Sequence, residues 1–336
     1  MNKSEMREFF EIRSSSGNER EYALFLKKKL LDYTNEKDIN IDKLNNVIAF
    51  FGDKNKPIVM IEAHFDEISA MVSGITNDGF IRFFRVGGLD RRILLSAEIR
   101  INGHLGVVCT DPPHLTQTGD ADKVKDFKDL YIDMGLDAEK VNEIVKIGDR
   151  IDINYDFIEL LNDRIACGAL DNKVSCIAIF DVLKKLKDQF DTLNCCVAVL
   201  FSVQEEVGLR GAGAGTFSIE PTEAIVIDVG YGKQPGVADG QVLGEGVVIE
   251  KSVYYDRNMV KKLIEIAKNC EIKYQINVEA KSLGTDADKI QGVKSGVRTE
   301  LLSIPIRNMH TTVEMVDIAD IRATTELISE YLKAWC

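Results

Sequence analysis

The chain has 336 residues, 45% hydrophobic and 29% charged, with six prolines; that is enough for about two domains with real cores and excludes a disulfide-stapled miniprotein or a disordered polymer. Forty-two Lys and Arg against 54 Asp and Glu leave a net charge of −12, a field that repels nucleic-acid backbones and anionic membrane surfaces. Apolar stretches such as 195–201 fall far short of the ~20 residues that span a bilayer.

In chain order, helical spacing of Tyr22, Leu24, Phe25, Leu30 and Leu31 predicts an opening helix over 18–33. KPIVMIEAHFDE, after a Gly-Asp turn, reads as a buried parallel strand with His64 at its C-terminal end. From residue 72 the pattern becomes short alternating strands punctuated by Gly74, Asn77-Asp78-Gly79, Gly87-Gly88 and Asn102-Gly103. A helix over 136–145 and a strand in IGDRIDI close this β-rich insert, expected over 72–160. The helix-strand rhythm then resumes. A helix is expected over 172–186, N-capped by Asp171 or Asn172. Strands follow at 195–203, 224–230 and 300–306, with a closing helix at 318–332. Such alternation predicts an α/β fold with a mostly parallel sheet flanked by helices and a small inserted β-barrel-like domain. The domains are therefore 1–71 plus 161–336, and 72–160.

Seven scattered cysteines without a CxxC pair read as reduced thiols, not a thiolate zinc site. Residues 1–20 mix both charge signs around no apolar core, so a cytoplasmic location is expected. The Gly-rich run 208–215 lacks the Lys-Ser/Thr of a phosphate-binding loop and reads as a tight turn with close backbone packing. His104 and His114 lie in the insert and read as structural or surface residues.

In open α/β sheets ligands gather at the carboxyl ends of the strands. His64, Asp66, Asp171, the Glu205-Glu206 pair, Asp228 and His310 all fall at such positions. Imidazoles and carboxylates in one pocket suit zinc, with cobalt or manganese as alternatives. Adjacent carboxylates in an extended chain point opposite ways, so Glu205 and Glu206 are expected to take different roles.

The strings AHFDE, VGGLDRR, DPPHL, GALDNK, VQEEVGLRGA, IDVG, GTDAD and IPIRNMH occur in an order that resembles the TET-type dinuclear aminopeptidases, also labelled deblocking aminopeptidases, cellulase M or glutamyl aminopeptidase-like. The resemblance spans nearly the whole chain and implies a zinc-peptidase/phosphorylase-like fold and two divalent metal ions per subunit. It places Asp171 as the bridge, His64 and Asp228 on one ion, Glu206 and His310 on the other, and Glu205 as general base. Asp66, two residues after His64, is expected to accept a hydrogen bond from the imidazole and fix the ring. Removal of N-terminal residues from short peptides is the implied activity, in a homo-oligomer whose insert pairs subunits into dimers and then a dodecamer. Alternatives are a deacylase of N-acylated amino acids or peptides, an endoglucanase, and a scaffold without catalysis. The sugar-cleaving reading fits poorly with 7% aromatics and one Trp, and the inert scaffold would lack a ligand, whereas none is missing. LDNK and HTT depart from the family's usual strings beside Asp171 and His310 without touching a ligand position.

Overall fold

The computed structural model describes residues 1–112, 114 and 123–336. One sheet of eleven strands dominates it. Two antiparallel strands form one margin, β1 (Ile39–Ile41) and β2 (Val47–Phe51), and β3 (Ile58–His64) lies in the centre. The chain then leaves the sheet for a closed antiparallel barrel. Its strands are β4 (Ser69–Ile75), β5 (Ile81–Val86), β6 (Glu98–Ile101), β7 (His104–Cys109), β8 (Tyr131–Asp133) and β9 (Arg150–Ile153), joined in the order β4-β5-β8-β7-β6-β9. Back in the sheet come β10 (Ile158–Glu159), β11 (Arg164–Cys167), β12 (Cys196–Ser202), β13 (Glu223–Tyr231), β14 (Val247–Ser252), β15 (Tyr274–Glu279), β16 (Arg298–Arg307) and β17 (Glu314–Asp317).

The sheet's centre, β12-β3-β13-β16, is parallel, and antiparallel pairs extend it on both sides. Strands β14 and β17 share the outer edge of β16, the first beside Leu302 and Ser303 and the second beside Ile306 and Arg307. Burial explains the central order. Every residue of β12, CVAVLFS, is buried, as expected of a parallel strand covered on both faces.

The larger core lies on the face packed by helices α1 (Lys3–Arg7), α2 (Arg20–Leu30), α4 (Leu170–Leu186), α6 (Arg257–Asn269) and α8 (Ile318–Lys333); α3 (Ala138–Ile144) belongs to the barrel. A smaller core under α5 (Arg210–Ile219) and α7 (Ala287–Ile290) covers the other face. The segment 208–215, expected as a turn, is helical from Arg210. Its glycines matter for packing. A Cβ on Gly211 would stand 2.3 Å from the Val203 carbonyl oxygen, and one on Gly215 2.5 Å from Leu200, so only glycine lets α5 rest this close to β12 and the loop after it.

The seven cysteines are all free, four of them buried. No helix among the described residues is long and apolar enough to cross a membrane. His104 opens β7 with its side chain exposed, and His114 is exposed as well.

Candidate active site

The seven residues singled out by position converge at the carboxyl end of the parallel strands. His64 is the last residue of β3 and lies opposite Ser202, the last of β12; Glu205 and Glu206 follow in the loop. Asp228 belongs to β13, beyond the point where that strand stops pairing with β3 at Val226. The Ile227 carbonyl in the gap accepts a hydrogen bond from Asn172 Nδ2 at 2.9 Å. Asp171 sits at the head of α4 with non-helical φ/ψ of −77° and 103°, which turns its side chain away from the helix. His310, in the loop after β16, has φ of 60°.

Asp171 lies between the two imidazoles. Its Oδ1 is 3.2 Å from His64 Nε2 and its Oδ2 is 3.3 Å from His310 Nε2. Asp228 Oδ1 and Glu205 Oε2 approach His64 Nε2 to 3.7 and 4.0 Å, and Glu206 Oε1 approaches His310 Nε2 to 3.4 Å. Two donor sets result: His64, Glu205 and Asp228 in one, and Asp171, Glu206 and His310 in the other.

Four carboxylates beside two imidazoles, His64, Asp171 and Asp228 buried and the rest half-buried, leave the site short of positive charge. Burial pushes Glu205 up to about 10, helped by Asp228, Asp286 and Glu206 against the opposing pull of His64. Glu206 is pushed up to about 8 by burial and by Asp171. Hydrogen bonding to Asp171 lifts His310 to about 9. Burial opposes the charging of His64, yet Glu205, Asp171, Asp228 and Asp66 raise it well above its ordinary value. Asp171 moves the opposite way: burial is outweighed by the two histidines, which hold it below the usual carboxylate range. A buried, charge-deficient set of nitrogen and oxygen donors facing one another is what divalent cations satisfy, so these residues fit the implied metals.

The Asp66 carboxylate is mainly occupied elsewhere. Oδ1 accepts from the Glu205 backbone N–H at 2.9 Å, and Oδ2 accepts from Ser16 Oγ at 2.7 Å and from the Glu206 N–H at 3.3 Å. Its Oδ1 stands 3.5 Å from His64 Nδ1, while the Asp66 backbone oxygen is nearer, at 3.2 Å. His64 Nδ1 thus has its closest acceptor on the main chain, and the Asp66 side chain anchors the Glu205-Glu206 loop.

Sequence reading missed Glu314. This buried residue on β17 accepts from the His310 N–H at 2.6 Å and the Asp171 N–H at 3.0 Å, tying two donor residues to one carboxylate. Its only signal was an acid opening a strand four residues after His310. A second unforeseen group lies behind α4: Lys173, fully buried, pairs with Glu67 at 3.2 Å, and Tyr155 donates to Glu67 at 2.8 Å. The barrel also reaches the site. A Cβ on Gly88, in the loop after β5, would stand 2.5 Å from His310 Nδ1, so the Gly87-Gly88 pair admits the imidazole. A cavity of about 600 Å³ opens over the whole set and continues along the sheet past Asp228.

Comparison with known proteins gives concordant findings. The M42 glutamyl aminopeptidase family matches residues 45–327. A lysyl aminopeptidase of Pyrococcus furiosus is 33% identical over 305 residues, covering 88% of this chain and 87% of its own. Among solved structures, a TET aminopeptidase from a marine-sediment Thaumarchaeota archaeon superposes with a TM-score of 0.92 at 26% identity, covering 99% of this chain and 96% of that one. The TET1 peptidase of Pyrococcus horikoshii, described as assembling into a tetrahedron or a large octahedral shell, gives 0.88 at 30% identity over 99% of this chain and 100% of that one.

Proposed function

The chain belongs to the M42 glutamyl aminopeptidase family, and from that premise we propose that it releases N-terminal residues from short peptides at a site built for two divalent ions. The observation that carries this reading is the Asp171 carboxylate, whose two oxygens each face a different imidazole at 3.2 and 3.3 Å. His64 and Asp228 would hold one ion, Glu206 and His310 the other, with Asp171 shared. Zinc suits the donors, with cobalt and manganese as alternatives. When bound, the ions polarise the scissile carbonyl and acidify the attacking water.

Glu205 accepts the water's proton and returns it to the leaving amine. Its placement beside His64 and Asp228 keeps it within reach of the reacting atoms, and Asp66 steadies it by holding its backbone N–H. Glu314 fixes the backbones of Asp171 and His310 together, so the donors on α4 and on the loop after β16 arrive already aligned.

Among its described residues the insert, taken as residues 72–160, meets the donor residues through Gly87 and Gly88. Phe84, Leu105 and Val107 point outward from its barrel and are exposed, an apolar surface that supports subunit pairing. Dimers assembling further, up to a dodecamer, agree with the shells described for the Pyrococcus horikoshii peptidase. A cytoplasmic setting agrees with seven free thiols.

The test uses p-nitroanilides of free and N-acetylated amino acids with chelator-stripped enzyme, reloaded with zinc, cobalt or manganese. Hydrolysis that needs both a free amino group and added metal supports the reading. Cleavage of acetylated substrates alone would transfer the site to a deacylase, and full activity after stripping would remove the metals from the mechanism.

A further inference from the structure

Beyond the two donor sets the cavity runs along one face of the sheet. Asp228 on β13 lies directly beside Ser303 on β16, and Ser303 beside Val248 on β14. Residues two apart on a strand share a face, so Glu250 and Leu301 stand on this face too. Across the next pair Glu250 lies beside Asn277. Glu250 is two strands across and two residues along from Asp228, about 12 Å at the usual sheet spacings. All of these residues line the same cavity.

Glu250 is built in, not merely present. It is 3% exposed, its Oε1 accepts from Ser303 Oγ at 2.8 Å and its Oε2 from Asn277 Nδ2 at 2.8 Å. Those bonds fix the carboxyl at the cavity wall. Burial, with Glu279 nearby, raises its proton affinity above the ordinary carboxylate value, the signature of an acid without a cation beside it. Glu279 and Asp239 add two more carboxylates to the lining, and no Lys or Arg among the described residues belongs to it. Between the acidic end and the donor sets the wall carries the apolar side chains of Val248 and Leu301, with Ser303 beside them.

We propose that the substrate's N-terminal residue is preferentially lysine or arginine, its aliphatic stem against these apolar walls and its cationic head at Glu250. The proposal rests on the aminopeptidase reading and names that site's substrate class. A long apolar stem with a charge at its tip matches an apolar passage ending in a carboxylate. An N-terminal glutamate would bring one more negative charge into a cavity already lined by Glu250, Glu279 and Asp239, with no basic side chain to receive it. A leucine would bring no positive charge to the Glu250 carboxylate, whereas a lysine or arginine head adds a charge-assisted hydrogen bond to those it already accepts from Ser303 and Asn277.

Steady-state rates on lysyl-, arginyl-, leucyl- and glutamyl-p-nitroanilide, with metal-loaded full-length enzyme, test this. Expected is a kcat/KM for lysyl and arginyl substrates roughly 10-fold or more above leucyl, with glutamyl poorest. Glu250→Gln should lower the lysyl-to-leucyl ratio roughly 10-fold or more, chiefly through the lysyl KM. Free lysine should compete better than norleucine on the wild-type enzyme, a readout that needs no variant. A wild-type preference for leucyl or glutamyl substrates, or a ratio unmoved by Glu250→Gln in a variant with wild-type melting behaviour, would overturn the substrate class while leaving the aminopeptidase intact. Failure to cleave any of the four would instead remove the reading beneath it.

Discussion

At the scale of single residues, Glu205 and Glu206 are adjacent yet face different partners, Glu205 toward His64 and Asp228 and Glu206 toward His310 and Asp171. Glu205→Gln keeps the shape but cannot take up a proton, so turnover should fall by roughly 10²–10⁴ with metal content unchanged. Glu206→Gln weakens a charged donor, so bound metal should drop and excess metal should partly restore the rate. Elemental analysis beside kinetics separates them, and rescue of the first but not the second would exchange their roles. A different residue reports on stability. Glu300, fully buried on β16, has no hydrogen-bond partner for either carboxyl oxygen among the described residues, and burial raises its proton affinity well above normal, with Glu250 and Asp256 adding to it. The folded state therefore holds a proton that the unfolded chain releases above its own value of about 4.3. Stability falls as pH rises from there toward the raised folded value, by up to about 1.4 kcal/mol per pH unit. Glu300→Gln removes that dependence. Its melting temperature relative to wild type should climb between pH 5 and pH 8, and parallel curves would contradict the assignment.

At the scale of elements, α5 shows how a segment can be read chemically right and structurally wrong. The run 208–215 carries no phosphate-binding fingerprint and does pack closely, but its glycines serve a helix resting on β12, not a turn. Gly211→Ala places a methyl 2.3 Å from a backbone oxygen and 2.4 Å from Asn46 Oδ1, neither of which can move freely, so a loss of about 1–3 kcal/mol is expected in denaturant melts. The strands carrying the site were legible for a physical reason. IVMIEAH, broken only by Glu62, and CVAVLFS are largely apolar runs that end in polar residues, the mark of buried parallel strands whose carboxyl ends face a crevice. Helix α4 was legible from its apolar spacing, but the cap expected from Asp171 or Asn172 is not made: both keep non-helical φ/ψ, and Asp171 turns to the imidazoles instead. Less of the outer sheet was read. Strands β14 and β15 are short and half polar, and α6 was passed over although Met259, Val260, Leu263, Ile266 and Ala267 mark a clear apolar stripe. Glu314 could not be distinguished from any acid opening a strand, since its importance lies in two backbone N–H groups that only the tertiary fold brings to it. The Asp66 side chain was expected on the His64 ring and mainly holds backbone of the neighbouring loop, because the chain leaves β3 at His64 and no longer keeps the two-residue periodicity of a strand.

At the scale of the whole molecule, the barrel is both an outward apolar surface and, through Gly87 and Gly88, part of the wall around Glu206 and His310. Light scattering of the wild-type chain should give a mass well above the 37.5 kDa of one chain. On the proposed pairing through the barrel, Leu105→Asp, on the outward face of β7, should shift the particle toward smaller species, since a charge left unpaired in an apolar contact costs several kcal/mol. A monomeric wild-type protein at working concentration would remove the barrel's assembly role. The donor residues are also widely separated along the chain, with His64 before the barrel and His310 beyond β16, 310 − 64 = 246 residues apart. During synthesis at about 5–20 residues per second, this interval lasts about 10–50 s, in which a growing chain has one half of the site and not the other. A hydrolase wired in this way cannot act on neighbouring nascent chains until His310 has followed His64 out of the ribosome, because neither imidazole alone completes the site.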